Sequence, residues 1–194
     1  MTKQSRRAVT VAFLLAAVPA WALDPVTSLA SRAVSTALDV RSKAQVKNDT
    51  EIDATATKAL LTAKGADLKG VSALVFAQRV VLAGTVANEE AKAKALELVG
   101  RDKRIHSLES EILVGGEGGS MAGNAVLEEK VNAVLTAAKG VHSVNMRWKA
   151  MGGTVVLMGV GKSAAEADLA VAKIRGLEGV KAVKSHLIVL GKKK

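Results

Sequence analysis

One stretch constrains this chain more than any other. Val80-Val81-Leu82-Ala83-Gly84 returns 75 positions later as Val155-Val156-Leu157-Met158-Gly159. A self-similarity of that period means two copies of one supersecondary unit, and each copy has to be read against the other. In the first copy, Asn48, Asp49 and Thr50 offer helix caps, and Ile52, Ala56, Ala59 and Leu60 make one apolar face of a helix ending near Gly65. Val71 to Phe76 alternates as a strand does, a short turn at Ala77-Gln78 follows, and Val80 to Val86 is a second strand. Asn88 then caps a second helix with Glu89 and Glu90 in its first turn, where the helix dipole favours acids. Ile105 to Val114 is a third strand.

The second copy falls on the same pattern without a gap. Leu127, Val131, Val134 and Leu135 take the places of Ile52, Ala56, Ala59 and Leu60. Met146, Trp148 and Ala150 take those of Val71, Ala73 and Val75. Gly152-Gly153 suits a hairpin that needs positive φ. Ser163-Ala164-Ala165-Glu166 reads as a capping box. Between the copies, Gly115 to Gly123 is rich in glycine and reads as a flexible linker. The expected class is α+β: two tandem αββαβ domains, each a three-stranded mixed sheet packed on two helices. The expected boundaries are 48–115 and 124–191, with a linker at 116–123 and a basic tail at 192–194.

Lys3, Arg6 and Arg7, an apolar run from Ala8 to Val18, and Ala20-Trp21-Ala22 read as a cleaved signal peptide over 1–22. The run is short for a membrane span, which needs ~20 residues. Residues 23–47 form an N-terminal extension in which Val26, Leu29, Ala33, Ala37 and Val40 make a modest helical stripe. The expected location is the periplasm. No cysteine occurs in the chain, which removes disulfides and Cys-ligated metals. Without the signal, 25 basic and 18 acidic residues leave a charge of +7. Such a charge attracts anionic surfaces, and export removes nucleic acid from the candidates.

The V-x-L-x-G strand ahead of a capped helix, present at Val80-x-Leu82-x-Gly84 and Val155-x-Leu157-x-Gly159, resembles the BON family (bacterial OsmY and nodulation). Gly179-Val180-Lys181-Ala182-Val183 is similar to the family's G-V-x-x-V before its last strand. The first copy departs there, with Arg104-Ile105-His106-Ser107-Leu108, and has Gln78-Arg79 where the family usually has a glycine turn. The resemblance implies an αββαβ fold, a place in the cell envelope, a link to osmotic or envelope stress, and phospholipid binding. Gly84 and Gly159 are then structural glycines of the central strand.

Nothing in the sequence points to catalysis, a cofactor or a metal centre. His106, His142 and His186 show no metal-ligand spacing, and no serine sits in a nucleophile elbow. Gly176-Leu177-Glu178-Gly179 reads as a helix C-cap. The informative residues lie on the sheet faces turned away from the helices. In the second copy these are Arg147, Lys149, Met151, Val156, Met158, Val160, Lys184, His186 and Ile188. In the first they are Ser72, Leu74, Phe76, Val81, Ala83, Thr85, Glu109, Glu111 and Leu113. Two readings follow. The plates pack on each other or on a second copy of the chain, with opposite charges at the rim. Alternatively, the basic plate meets an anionic membrane. Trp148 is expected on the helix side.

The leading functional expectation is a non-catalytic envelope-maintenance or stress protein that binds anionic phospholipid surfaces through its second domain. Arg147, Trp148, Lys149, Met151, Lys162, Lys173 and Arg175 are the candidate lipid-binding residues. The alternative is a periplasmic holdase or scaffold for unfolded or outer-membrane polypeptides.

Overall fold

The computed structural model describes residues 38–190. The expected signal peptide, most of the N-terminal extension and the basic tail lie outside those residues. The described chain runs α1 (Lys43–Leu61), β1 (Val71–Phe76), β2 (Arg79–Val86), α2 (Glu89–Gly100) and β3 (Ser107–Val114). It continues through α3 (Met121–Ala137), β4 (Met146–Met151), β5 (Thr154–Gly161), α4 (Ala164–Arg175) and β6 (Ala182–Val189). Each half is therefore an αββαβ unit with a three-stranded mixed sheet. β2 is central, antiparallel to β1 and parallel to β3, and β5 stands likewise between β4 and β6. The repeat extends to register: Val71 faces Gly84, and 75 residues on Met146 faces Gly159.

Apart from Arg79, Thr85 and Thr154, the central strands are apolar because both of their faces are covered. Val80, Leu82 and Val86 join Ile52, Ala56 and Leu60 of α1 and Ala91, Ala95 and Val99 of α2 in one core. Val155 and Leu157 join Leu127, Val131 and Leu135 of α3 and Ala170 and Ile174 of α4 in a second. Their strand neighbours point the other way into a third core, built from Leu74, Phe76, Val81 and Ala83 against Met151, Val156, Met158 and Val160. The outer plates of the two sheets thus cover each other, giving helices, sheet, sheet and helices in layers. Full burial of one such large side chain is worth about 1.5–3 kcal/mol, so the shared core contributes on the order of 10 kcal/mol.

Gly84 and Gly159 hold the repeat's signature for a steric reason. Both have positive φ, 152° and 132°. A Cβ at Gly84 would be driven into the Gly70 carbonyl oxygen and within 2.7 Å of Val71 Cα. At Gly159 it would meet the Asn145 carbonyl in the same way. A strand residue with no side chain lets the edge strand enter close against it.

Three local expectations change. Asn48, Asp49 and Thr50 lie inside α1, because Ser42 and Gln45 form a capping box and start the helix earlier. The glycine-rich stretch is packed: Gly116–Gly118 forms a 3₁₀ turn and Ser120 caps α3 through the Gly123 amide. Gly118 lies so close to Thr85, and Gly119 to Gly152, that a side chain would overlap either neighbour, so these glycines serve close approach. At α4, Ser163 accepts from the Glu166 amide as expected, but the Glu166 carboxylate turns to the amides of Lys162 (2.8 Å) and His142 (2.7 Å).

Candidate functional site

Two regions carry charge that the fold itself does not consume. The first is the outer surface of the second domain. Residues 48–116 hold nine basic and ten acidic residues, a balance of −1, whereas residues 123–191 hold nine basic and five acidic, a balance of +4. In the first domain Arg79, Lys92, Lys94, Arg101 and Arg104 pair with its own acids, while Lys58, Lys64, Lys69 and Lys103 are exposed and make no ion pair among the described residues. In the second, Lys139, Lys162, Lys173, Arg175 and Lys181 are exposed and make no ion pair among the described residues.

The helix divides these cations. Lys162 precedes the N-terminus of α4, while Lys173 and Arg175 lie in its last turn. Twelve residues at 1.5 Å each put the two groups about 18 Å apart. Lys181, whose amide donates to the Gly153 carbonyl (2.8 Å), stands at the hairpin end with Lys173 and Arg175. The N-terminal part of α3 is tied to the same end, since Asn124 accepts from the Gly152 amide (3.0 Å). There Met121 and Val126 are 86% and 60% exposed. A cleft of about 350 Å³ opens beside them, lined by Ser120, Val126, Lys130, Gly153 and Lys181 among others.

The other sequence-predicted residues lie elsewhere. Met151 is buried in the core between the sheets. Trp148 packs on the helix side, half-buried, and its indole N–H donates to the Glu128 carbonyl (3.2 Å). Lys149 pairs with the Glu128 carboxylate (3.1 Å). Arg147 enters the second charged region.

That region is the seam where the segment before α1 crosses to the second domain. Asn145, fully buried, accepts from the Val40 amide and donates to the Leu38 carbonyl, both at 3.0 Å. Arg41 follows, paired with Asp39 (2.7 Å) and Asp49 (2.9 Å) and lying 4.2 Å from the centre of the Phe76 ring. Burial works against the Arg41 charge, but its hydrogen bonds to the two aspartates raise its pKa above the ordinary arginine value. Arg147 approaches the same ring at 5.6 Å and donates to the carbonyls of Val144 (3.1 Å) and Met146 (2.7 Å). Burial, and then the Arg41 guanidinium, lower its pKa.

Opposite that seam, β3 and β6 carry the rim charges expected of the two plates. His186 places Nδ1 2.9 Å from Glu109 and Nε2 2.9 Å from Glu111, and Lys184 reaches Glu111 at 2.5 Å. Burial pushes the Glu111 carboxyl up, but the hydrogen bonds from Lys184 and His186 outweigh it and hold the group below the usual range.

This geometry, repeated in register, has a counterpart among known families. A family model described as BON domain matches residues 48–116 and again residues 123–191. The chain belongs to the BON family. Its two BON domains are of a non-enzymatic kind. Among the described residues no cluster of three or more His, Asp or Glu could hold a metal ion. An uncharacterized protein in the gshII 5' region of Anaplasma centrale is 28% identical over 112 residues, which are 56% of this chain and 74% of that protein. Two structures of CdsD, a structural protein of the type III secretion system of Chlamydia trachomatis, are also similar. One, of the C-terminal domain, is 17% identical over 73% of this chain and 67% of its own, with a TM-score of 0.30. The other is 18% identical over 73% of this chain and 63% of its own, with a TM-score of 0.31.

Asp49, Asn145 and Glu166 were not legible as anchors. A repeat comparison holds one signal: Asp49 and Asn124 are 75 positions apart and both accept from a hairpin amide. Nothing in linear order announces that Asn145 meets Val40.

Proposed function

We propose that this is a two-domain BON protein of the periplasm that holds reversibly to anionic phospholipid surfaces through the outer face of its second domain. The observation that carries the reading is the charge asymmetry between two domains of one fold, with the excess cations of the second exposed and unpaired among the described residues. Lys173, Arg175 and Lys181 share one end with the exposed Met121 and Val126, a pairing of cations and apolar side chains suited to a headgroup layer. Near an anionic surface each cation adds about 1 kcal/mol, and the attraction falls off with added salt. Lys162 lies at the other end of α4 and serves as an internal comparison. Among the described residues no helix is long and apolar enough to cross a membrane.

Co-sedimentation with phosphatidylglycerol vesicles tests this. Replacing Lys173, Arg175 and Lys181 together by serine is expected to cost about 3 kcal/mol at low salt, roughly a hundred-fold in affinity. Lys162→Ser is expected to change binding several-fold less. Binding that survives the triple replacement, or that ignores salt, would refute the proposal. Capture of apolar peptide without lipid would favour the holdase reading.

A further inference from the structure

The seam between the domains contains a cavity of about 260 Å³ lined by Arg41, Asp49, Thr50, Asp53, Leu74 and Arg147, with Val46, Ala73 and Val75 completing it. Its charges are unequally satisfied. Arg41 is bound by Asp39 and Asp49, and Asp49 is further occupied by two turn amides. Arg147, from the second domain, has only the backbone carbonyls of Val144 and Met146 on one of its terminal nitrogens. Asp53, on α1 of the first domain, makes no hydrogen bond or ion pair among the described residues. The cavity is thus bordered by a guanidinium and a carboxylate too far apart to pair, one from each domain.

A half-buried guanidinium with no carboxylate within ion-pair distance is costly, and a ligand that supplied one would relieve it. A lone anion would meet the field of Asp39, Asp49 and Asp53, and a lone cation that of Arg41 and Arg147. Only a molecule carrying both charges satisfies both walls. At about 30 Å³ for each water displaced, the space holds roughly eight or nine waters, so the molecule is small. We propose that this cavity binds a short zwitterion, with its carboxylate or phosphate on Arg147 and its ammonium on Asp53, bridging the two domains. That chemistry occurs in free amino acids and phosphoethanolamine and in the phosphatidylethanolamine headgroup. The site is separate from the cationic end of α4 and does not depend on it.

Isothermal titration of the protein with O-phosphoethanolamine and with glycine tests the site, with ethanolamine and inorganic phosphate as half-ligands. Saturable binding of a zwitterion at least ten-fold tighter than of either half is expected. Arg147→Gln and Asp53→Asn should each weaken it at least ten-fold. Asp53 is exposed on its helix, so D53N should keep the wild-type melting temperature and remains informative if R147Q does not fold. Amide shifts at Thr50, Leu74 and Val75 locate the ligand. Competition by phosphatidylethanolamine vesicles would assign the site to the lipid headgroup, and its absence to the free molecule. Phosphate binding as tight as the zwitterion's, no effect of D53N, or no saturation at low millimolar ligand would overturn the proposal.

Discussion

At the β1–β2 turn the chain places Ala77 and Gln78 at φ 51° and 61°, and at the β4–β5 turn it places Gly152 and Gly153 at 56° and 93°. Sheet register demands the same left-handed pair in both. Glycine adopts it without strain, whereas side-chain-bearing residues must be held there. The first domain holds them with Asp49, whose oxygens each accept an amide, from Ala77 and from Gln78, at 2.7 Å. The second needs less, and Asn124 accepts from Gly152 alone at 3.0 Å. Asp49 in turn is paired with Arg41, so the first domain's hairpin depends on the segment that clips the two domains together. Two copies of one fold thus reach the same geometry differently. One relies on backbone freedom, the other on a buried ion pair.

The strongest way to test the equivalence of the copies is through the paired glycines. Gly84→Ala and Gly159→Ala should each cost about 4 kcal/mol or prevent folding, because backbone occupies the space. Urea unfolding that found only one of them severe would break the correspondence.

The hairpins sharpen the difference. Asp49→Ala removes two amide acceptors and leaves the buried Arg41 with Asp39 alone, a loss of about 3 kcal/mol. Asn124→Ala should cost about 1 kcal/mol. Adding Gln78→Gly to the Asp49→Ala protein should restore about 0.5–1 kcal/mol by removing a strained side chain. Equal losses at the two anchors in thermal melts would show that the turns are held alike.

Acid separates the link between the domains from a link inside one. Glu111 is tied to Lys184 and His186 across the sheets, and Glu166 to His142 and Lys162 within the second domain. Burial raises each carboxyl, but the hydrogen bonds prevail and both pKa values are lowered. A depressed carboxyl stabilises the fold above the ordinary glutamate range, and that stability is lost as pH falls through the range to the folded value. Glu111→Gln and Glu166→Gln should each lower neutral-pH stability by about 1 kcal/mol and flatten the acid limb of a stability–pH curve. An acid limb as steep as wild type in both variants would contradict this. The smallest effect is expected at the exposed cations: serine at Lys173, Arg175 and Lys181 should shift stability by only about 0.5 kcal/mol.

Much of the architecture was legible because it is periodic. The spacing of Ile52, Ala56 and Leu60 marks a helix, the alternation around Val80 and Val155 marks strands with two apolar faces, and Asn88 and Ser163 mark helix starts. The site was less legible. Lys162, Lys173 and Arg175 group around one helix in the sequence, but a helix is a rod and sets them at its two ends. Met151 and Arg147 fall on the plate that the other domain covers. Residues 115–123 look flexible by composition, although a glycine needed for close packing has the same letter as one in a tether.

By itself, the sequence determined the repeat, the order of elements in each copy and the alternation that gave each sheet a second apolar plate. Those properties follow from local spacing, and the 75-residue offset carried them from one copy to the other. The tertiary structure decided that the plates cover each other, that Asp49 anchors a turn, and that Asn145 grips a segment 105 residues away. Such outcomes depend on which surfaces meet, and hydrophobic burial, being non-directional, favours any meeting that removes the plates from water. The Val-Val-Leu-x-Gly stretch belongs to both lists: its strand was readable from pattern, but its glycine is required by the backbone of a neighbour that only the folded sheet brings against it.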